Sequence, residues 1–370
     1  MVNAHGIVLA YDTRPELKEL TQHRTLSSVP FGGKYRLIDF ALSSLVNAGI
    51  SDAGVVVREN YRSLLDHVGS GRDWDMNRKN GGLMVLPPFC YGQSMAGSAI
   101  RGPLDAMVGV SHYISAIREK YTVIMESDLV ANVDLAAALE AHEKGGADIT
   151  VVSTGEDLGG MDPTYITVDE QGRAVNVKVG GERGDCLQSM NIFILETALL
   201  RRIVANAEEQ GQYDWVRDIL QQRVRELKIG TFLHQGYCAR ISNVSEYYSH
   251  SMELLDRDVR KSVFRADRPV LTKVRDETST YFSPESAVNK CLVADGCFVE
   301  GEVENSILFR GVRVEKGAVV KNSVLMQGTV VKAGAKVSYT IADKDVVISE
   351  GRELTGHSAY PFTISKGSKV

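Results

Sequence analysis

The sequence of 370 residues lacks the features that mark several large classes of protein. Its five cysteines form no CxxC pair and no spacing typical of a metal site, which indicates reduced thiols rather than a disulfide scaffold. No segment approaches the roughly 18 apolar residues of a membrane-spanning helix. The apolar stretch near the start is also too short for a signal-peptide core. We therefore expect a cytoplasmic protein that does not bind membranes.

An excess of positive charge is absent as well. Lysine and arginine total 42 against 47 for aspartate and glutamate, which gives a net charge of -5. Nucleic-acid binding draws on counterion release at a basic surface, so this balance argues against a nucleic acid as the main partner. Hydrophobic residues at 44% and charged residues at 24% are typical of globular domains. At about 150 residues per domain, the length predicts two or three of them.

Residues 1–264 alternate short β-branched runs with amphipathic stretches. Typical runs predict strands at Gly6–Ala10 and Tyr121–Asp128 and helices at Leu37–Ala48 and Pro103–Lys120. This alternation predicts an α/β domain with a doubly wound, mostly parallel sheet. Ligands of such sheets bind beyond the carboxyl ends of the strands. The carboxylates expected near a site are therefore Asp12, Glu126 and Asp128.

Later parts of this domain carry further signals. Two alternating runs within Thr164–Val179 predict a hairpin, and periodic stretches predict helices at Trp215–Leu227 and Val244–Val263. Residues 265–285 are polar and contain Pro269 and Pro284, so we interpret them as a linker.

The pattern changes at residues 286–350. Apolar residues recur every five or six positions, as in Val288, Val293, Phe298, Val303 and Leu308, and glycines follow the same interval. This repeat indicates a parallel β-helix. The alternative, an antiparallel sandwich, would show longer alternating strands joined by polar hairpins. Residues 351–370 are predicted to form a partly ordered C-terminal tail.

Several long strings resemble bacterial glucose-1-phosphate adenylyltransferases (ADP-glucose pyrophosphorylases). They are VPFGGKYRLIDFALS at Val29–Ser43, NAGI at Asn47–Ile50, GGLMVLPPF at Gly81–Phe89 and the stretch Cys291–Gln327. The resemblance covers nearly the whole chain. It implies a nucleotidyltransferase-like α/β domain followed by a left-handed parallel β-helix of hexapeptide repeats. It also implies a reaction in which ATP and glucose 1-phosphate give ADP-glucose and pyrophosphate.

The expected phosphate-binding loop departs from the family pattern. Active members have a loop of the form GGxGxRL after the first strand, whose bare amides approach the phosphates. The matching residues here are Tyr11–Glu16, which contain no glycine. Pro15 removes one amide, and Asp12 and Glu16 add negative charge, so Coulomb repulsion opposes a bound triphosphate. A lysine of the family is replaced by Leu26.

The metal ligands are also incomplete. Asp128 fits the first carboxylate of the family, whereas the second aligns with the string ISNVSE and places Asn243 there. Mg²⁺ in proteins needs carboxylates as well as substrate phosphates. Asn243 also suits a helix N-cap with Glu246 three residues on. Asp128 is thus at most a catalytic remnant or a strand-end turn residue. We expect no metal site and no strongly bound cofactor in this chain.

The sequence still contains candidate residues for binding the sugar substrate and for binding an effector. The family's GTADA turn corresponds to Gly102–Ala106, which makes Asp105 a candidate substrate-binding residue, and Ser189 matches the start of a second sugar motif. Family effector sites for sugar phosphates or nucleotides use basic residues near Arg24, Lys34 and Arg36. Arginine suits bidentate contact with phosphate. Solvated cations or intersubunit salt bridges are the alternative interpretation of these three residues.

A preserved scaffold around a degraded site matches best the regulatory, GlgD-type subunits of the family. The resemblance then implies a heterotetramer with a catalytic subunit, which would bind the Mg²⁺ and make ADP-glucose for glycogen. One alternative is a self-sufficient nucleotidyltransferase with a divergent site. Acyl transfer is disfavoured because residues 286–348 contain no histidine to act as a base. A scaffolding subunit, as in translation-initiation exchange factors, is the remaining alternative.

Overall fold

The computed structural model describes residues 2–11, 15–79, 81–87 and 100–370. The first-domain strands are β1 Ala4–Leu9, β2 Pro30–Phe31, β3 Tyr35–Arg36, β4 Ala53–Val56, β5 Leu83–Leu86, β6 Tyr121–Glu126, β7 Leu129–Ala131, β8 Ile149–Thr154, β9 Thr164–Val168, β10 Ala174–Val179, β11 Leu187–Glu196, β12 Ile229–Leu233 and β13 Cys238–Arg240. The α-helices are α1 Leu37–Asn47, α2 Arg62–Val68, α3 Pro103–Val108, α4 Ser111–Ala116, α5 Leu135–Gly145, α6 Thr197–Ala207, α7 Val244–Glu253 and α8 Arg257–Val263.

The central sheet has the order β10-β9-β11-β6-β1-β4-β5, and β8 and β12 extend it beside β11. Strands β6, β1, β4 and β5 are mutually parallel, whereas β11 runs antiparallel to β6 and β8. One face packs against α1, α2 and α5, and the opposite face packs against α3, α4 and α6. The doubly wound, mostly parallel sheet is therefore confirmed, as is the β9–β10 hairpin.

Three predicted helices differ from the observed ones. The stretch Pro103–Lys120 is two short helices, α3 and α4, and Val244–Val263 is split into α7 and α8. The second break is locally encoded, because the Asp256 side chain accepts hydrogen bonds from two backbone amides and starts α8 anew. The third predicted helix, Trp215–Leu227, is a π-helix that spans only Trp215–Gln221. Apolar spacing identified the buried faces but not these breaks.

The second domain is a parallel β-helix with three faces. Its strands are β14 Tyr281–Phe282, β15 Ala287–Asn289, β16 Leu292–Val293, β17 Phe298–Val299, β18 Glu302–Glu304, β19 Ile307–Leu308, β20 Arg313–Val314, β21 Val319–Lys321, β22 Val324–Leu325, β23 Val330–Val331, β24 Lys336–Ser338, β25 Thr340–Ala342, β26 Val347–Ile348, β27 Glu353–Thr355 and β28 Phe362–Ile364. They form three five-stranded sheets, in which every third strand pairs in parallel. These parallel pairs rule out the antiparallel sandwich.

The β-helix extends beyond the predicted residues 286–350. Strand β14 lies inside the predicted linker and pairs with β17. The predicted tail, residues 351–370, contributes β27 and β28, which pair with β24 and β25. The amide of Val370 also donates to the carbonyl of Val347. Strands of two or three residues at the ends of a repeat carry too little periodicity to be recognised from sequence.

The two domains share a buried interface. Side chains of the first domain, such as Leu26 and Tyr247, belong to the same apolar cluster as Ile307 and Ile341 of the β-helix. The Tyr248 hydroxyl donates to the carbonyl of Asn322 across this interface, at 2.8 Å. No helix in the described part of the chain combines the length and the apolar character needed to cross a membrane.

Candidate functional site

A cavity of about 520 Å³ opens beyond the carboxyl ends of β1 and β6. This is the edge of the sheet at which the sequence predicted a site. Of the predicted phosphate-binding loop, Tyr11, Pro15 and Glu16 line the cavity. The other three residues of that loop, Asp12 among them, lie outside the described residues. The carboxylate of Glu16 and the ring of Pro15 therefore form part of a wall where a triphosphate would require amides and cations.

Ser189 lies on the cavity wall, at an irregularity in β11. Two residues on, Asn191 adopts a left-handed backbone with φ of 54°, which asparagine tolerates better than most residues. The Asn191 amide donates to the Ser189 hydroxyl at 3.1 Å, and its side-chain amide donates to Glu126 Oε2 at 2.9 Å. Ser189, the predicted substrate-binding residue, thus reaches the cavity with a hydroxyl that already has an internal partner.

Asp105 contacts the cavity indirectly. Its carboxylate is buried at the start of α3 and accepts hydrogen bonds from the backbone amide and the guanidinium of Arg101, at 3.0 and 3.2 Å. Arg101 itself lines the cavity and lies over the ring of Tyr213. The Asp105 carboxylate thus contacts Arg101, and its substrate-binding role stays a prediction.

Asp128 is buried in an ion pair that sequence reasoning missed. Arg240 Nη1 lies 3.2 Å from Asp128 Oδ2 and 3.1 Å from Glu126 Oε2. The arginine ends strand β13, whose pairing with β7 places it opposite Leu129, next to Asp128. A basic residue inside the otherwise apolar run of Cys238–Ile241 was the available signal. One of the two negative charges at the end of β6 is therefore balanced by a side chain of the same chain.

Asn243 does not face Asp128. Its side-chain oxygen accepts a hydrogen bond from the amide of Glu246 at 2.9 Å and caps α7, which confirms the N-cap interpretation. Glu246 does not complete a capping box, because its carboxylate accepts from the amide and hydroxyl of Ser242 instead. The side chain that contacts Asp128 is that of Arg240, and the alignment of a second ligand position with Asn243 stays a prediction. Residues 2–11, 15–79, 81–87 and 100–370 contain no group of three or more His, Cys, Asp or Glu side chains suited to a metal ion.

The other arginines of the cavity wall are also paired with carboxylates of the chain. They are Arg58 with Glu59 at 3.2 Å, Arg101 with Asp105 at 3.2 Å and Arg217 with Asp162 at 3.8 Å. With Arg240, this makes all four arginines that line the cavity within its described wall. Each of these arginines thus has a carboxylate of the same chain within 3.8 Å.

A second, smaller cleft lies between the two domains and is strongly basic. Its lining includes Lys34, Arg36, Arg275, Arg310 and Lys344. The pKa of Arg36 is lowered to about 10 and that of Lys344 to about 7, in both cases chiefly by burial and to a smaller extent by neighbouring guanidinium groups. Burial also lowers the pKa of Arg310. Burial is the largest cause of each shift and neighbouring guanidinium groups add to it, so a bound anion would offset part of this cost.

Two of the three predicted effector residues lie in this cleft. Lys34 is exposed, with its ammonium group 5.3 Å from the centre of the Tyr35 ring, and Arg36 donates to the carbonyl and hydroxyl of Ser63. Arg24 is not part of the lining, because its guanidinium makes a buried ion pair with Asp343 of the β-helix at 2.6 Å. Arg275, Arg310 and Lys344 were missed because they come from distant parts of the sequence.

Comparison with known proteins agrees with this architecture. The family model "Nucleotidyl transferase" matches residues 6–256, and the model "GlmU-like, C-terminal hexapeptide" matches residues 277–359. The glycogen biosynthesis protein GlgD of Bacillus subtilis is 34% identical over 84% of this chain and 81% of its own length. That of Geobacillus stearothermophilus is 36% identical over 85% and 82%.

An adenylyltransferase is almost as similar. The glucose-1-phosphate adenylyltransferase of Geobacillus stearothermophilus is 33% identical over 85% of this chain and 82% of its own length. The hexapeptide match together with the parallel sheets identifies the second domain as the predicted left-handed β-helix. The chain therefore belongs to the nucleotidyl transferase family, within the glycogen-biosynthesis group that contains the GlgD proteins and the glucose-1-phosphate adenylyltransferases.

Proposed function

We propose that this chain is the regulatory, catalytically deficient subunit of a glucose-1-phosphate adenylyltransferase in glycogen biosynthesis. The observation that carries the proposal is the internal pairing of the arginines on the cavity wall, each with a carboxylate of the same chain. The fold of the family is kept, whereas the charge that its chemistry needs is already neutralised.

Adenylyl transfer makes strong electrostatic demands on a site. A triphosphate must be held in line while negative charge develops on the departing pyrophosphate, and preorganised donors, cations and Mg²⁺ normally stabilise that charge. Here Glu16 and Pro15 lie where such donors are needed. Placing ATP against this wall would add like charges at short range without compensation.

The partner is the catalytic subunit of the same enzyme, in a hetero-oligomer that we propose to be a tetramer, and Mg²⁺ serves that subunit. Regulation would use the basic cleft between the domains, with a sugar phosphate or a nucleotide as effector. An anion there contacts Lys34 and Arg36 of the first domain together with Arg310 and Lys344 of the β-helix. Because it bridges two domains, it can favour one arrangement of the subunits over another.

Pyrophosphate release tests the catalytic part of the proposal. From ATP, glucose 1-phosphate and Mg²⁺, the isolated chain should release no pyrophosphate above background. Mixed with the catalytic subunit, it should change the turnover number or the substrate KM of that subunit, with an equal amount of an unrelated protein as the control. Unchanged kinetics and no co-purification of the two chains would contradict the regulatory role.

Robust turnover by the isolated chain would instead support the self-sufficient nucleotidyltransferase. Two observations speak for that alternative. They are the size of the cavity, about 520 Å³, and the presence of Gln188 and Ser189 on its wall.

Anion binding tests the effector cleft. We expect sulfate, whose own charge is the same at pH 6 and pH 8, to bind the chain more tightly at pH 6 than at pH 8 when titrated calorimetrically, since Lys344 gains its proton below about pH 7. Arg310 offers a buried Nε without a hydrogen-bond partner among the described residues, so Arg310→Met should weaken binding about tenfold or more. Arg352→Met, at an exposed residue of the β-helix outside the cleft, is the matched control. Equal affinities for the two variants would argue against the cleft.

A further inference from the structure

Two carboxylates converge at the end of β6, and an arginine lies between them. We propose that Arg240 is a built-in replacement for a divalent cation, so that this chain keeps the carboxylates of a metal site but holds them with a guanidinium and binds no metal ion there. The proposal concerns metal binding alone and is independent of whether the chain turns over substrate.

The geometry leaves no space for a metal ion between the carboxylates. A single nitrogen, Arg240 Nη1, is within 3.2 Å of both Glu126 Oε2 and Asp128 Oδ2. A magnesium ion between these oxygens would need to lie about 2.0–2.1 Å from each of them, in the space that the guanidinium fills. A guanidinium also stays protonated at any ordinary pH, so it does not leave the position by losing its charge.

The backbone around Arg240 holds the side chain in this position. The amide of Ile241 donates to the carbonyl of Asp128 at 3.0 Å, which ties the strand of the arginine to the turn of the carboxylate. Gly160 covers the stem, since a Cβ there would lie 3.0 Å from Arg240 Cδ and its φ of +99° disfavours other residues. Three separate segments thus converge on one side chain, which is only 7% exposed.

Removing the positive charge should convert the pair into a metal site. A neutral residue at position 240 leaves two carboxylates side by side, one of them buried, and hard divalent cations prefer such oxygen ligands. It also removes a positive partner of a buried carboxylate, which destabilises a fold. A divalent cation therefore gains affinity for the variant and restores part of its stability.

Binding of Mn²⁺, followed by the paramagnetic resonance signal of the free ion, tests the proposal. We expect Arg240→Met to bind one Mn²⁺ per chain at least tenfold more tightly than the unaltered protein does. Mn²⁺ should also raise the melting temperature of Arg240→Met but not that of the unaltered protein. Arg240→Lys keeps the charge and should bind no additional ion. Arg101→Met is the matched control, since it removes an arginine from the same cavity wall but leaves the pair around Arg240 intact.

Two results would overturn the proposal. One is a stoichiometric Mn²⁺ site in the unaltered protein that Asp128→Asn abolishes. The other is a folded Arg240→Met that binds Mn²⁺ no better than the unaltered chain. If circular dichroism shows that Arg240→Met does not fold, Arg240→Gln, which is neutral but keeps hydrogen-bond donors, takes its place in the same titration. The first result needs no arginine variant and decides the question by itself.

Discussion

Replacing Asp343 by asparagine should lower the free energy of unfolding by about 3–5 kcal/mol, the cost of leaving a buried charge without its partner. Asp343 and Arg24 join the two domains at 2.6 Å, and their side chains are only 1% and 3% exposed. Without the carboxylate, the guanidinium of Arg24 would remain buried near two further cations, Arg36 and Lys344. Chemical denaturation at pH 7 measures the loss.

The size of this effect distinguishes a buried pair from an exposed one. In Glu285→Gln, which breaks the exposed pair with Lys316 in the same domain, stability should change far less than in Asp343→Asn. The double variant Arg24→Met/Asp343→Asn should be more stable than Asp343→Asn alone, because it buries no unpaired charge. A loss below 1 kcal/mol for Asp343→Asn would show that this ion pair does not hold the domains together.

Replacing Lys344 by methionine should stabilise the protein by about 2–3 kcal/mol at pH 7, allowing for relaxation of the cleft. Burial, with smaller contributions from Arg36 and Arg24, lowers the pKa of Lys344 from 10.5 to about 7. Between pH 7 and 10.5 the unfolded chain therefore binds a proton that the folded chain has released. The lysine thus destabilises the fold fully at and below about pH 7, and its cost disappears as the pH rises to 10.5.

The pH dependence separates this effect from ordinary apolar packing. Thermal or urea unfolding of Lys344→Met and the unaltered protein at pH 6, 7, 8.5 and 10 should show a difference that is nearly the same at pH 6 and 7 and shrinks from pH 7 to pH 10. Lys316→Met, at an exposed site in the same domain, should show no such trend. A stability gain for Lys344→Met that is constant from pH 6 to 10 would mean that the pKa of the Lys344 ammonium group is not lowered in the cleft.

The spacing of apolar residues predicted the fold well, because strands, helices and β-helix repeats each have a characteristic period along the chain. The alternation of the first domain and the five- to six-residue repeat of the second correspond to the observed sheet and β-helix. Failures occurred where a period is interrupted or too short. The Asp256 cap splits α7 from α8, and strands β14, β27 and β28 lie outside the predicted repeat.

The sites were harder to predict, because charge balance depends on neighbours in space. Sequence predicts Asp105 and Ser189 as ligand contacts, which stay predictions, but it does not show that one accepts hydrogen bonds from Arg101 and the other from Asn191. Arg24 was grouped with Lys34 as a cation near the effector, although it is buried against the second domain. Sequence identifies which residues are charged, but not which charges are already paired.

The sequence by itself determined the two architectures, their order along the chain and the loss of glycines in the loop after β1, since all of these depend on residues close together in the chain. Only the tertiary structure decided which distant charges meet. Arg240 and Asp128 are 112 residues apart, and Arg24 and Asp343 are 319 apart. Their meeting depends on the pairing of β13 with β7 and on the packing of the β-helix against the first domain. No local period encodes either arrangement.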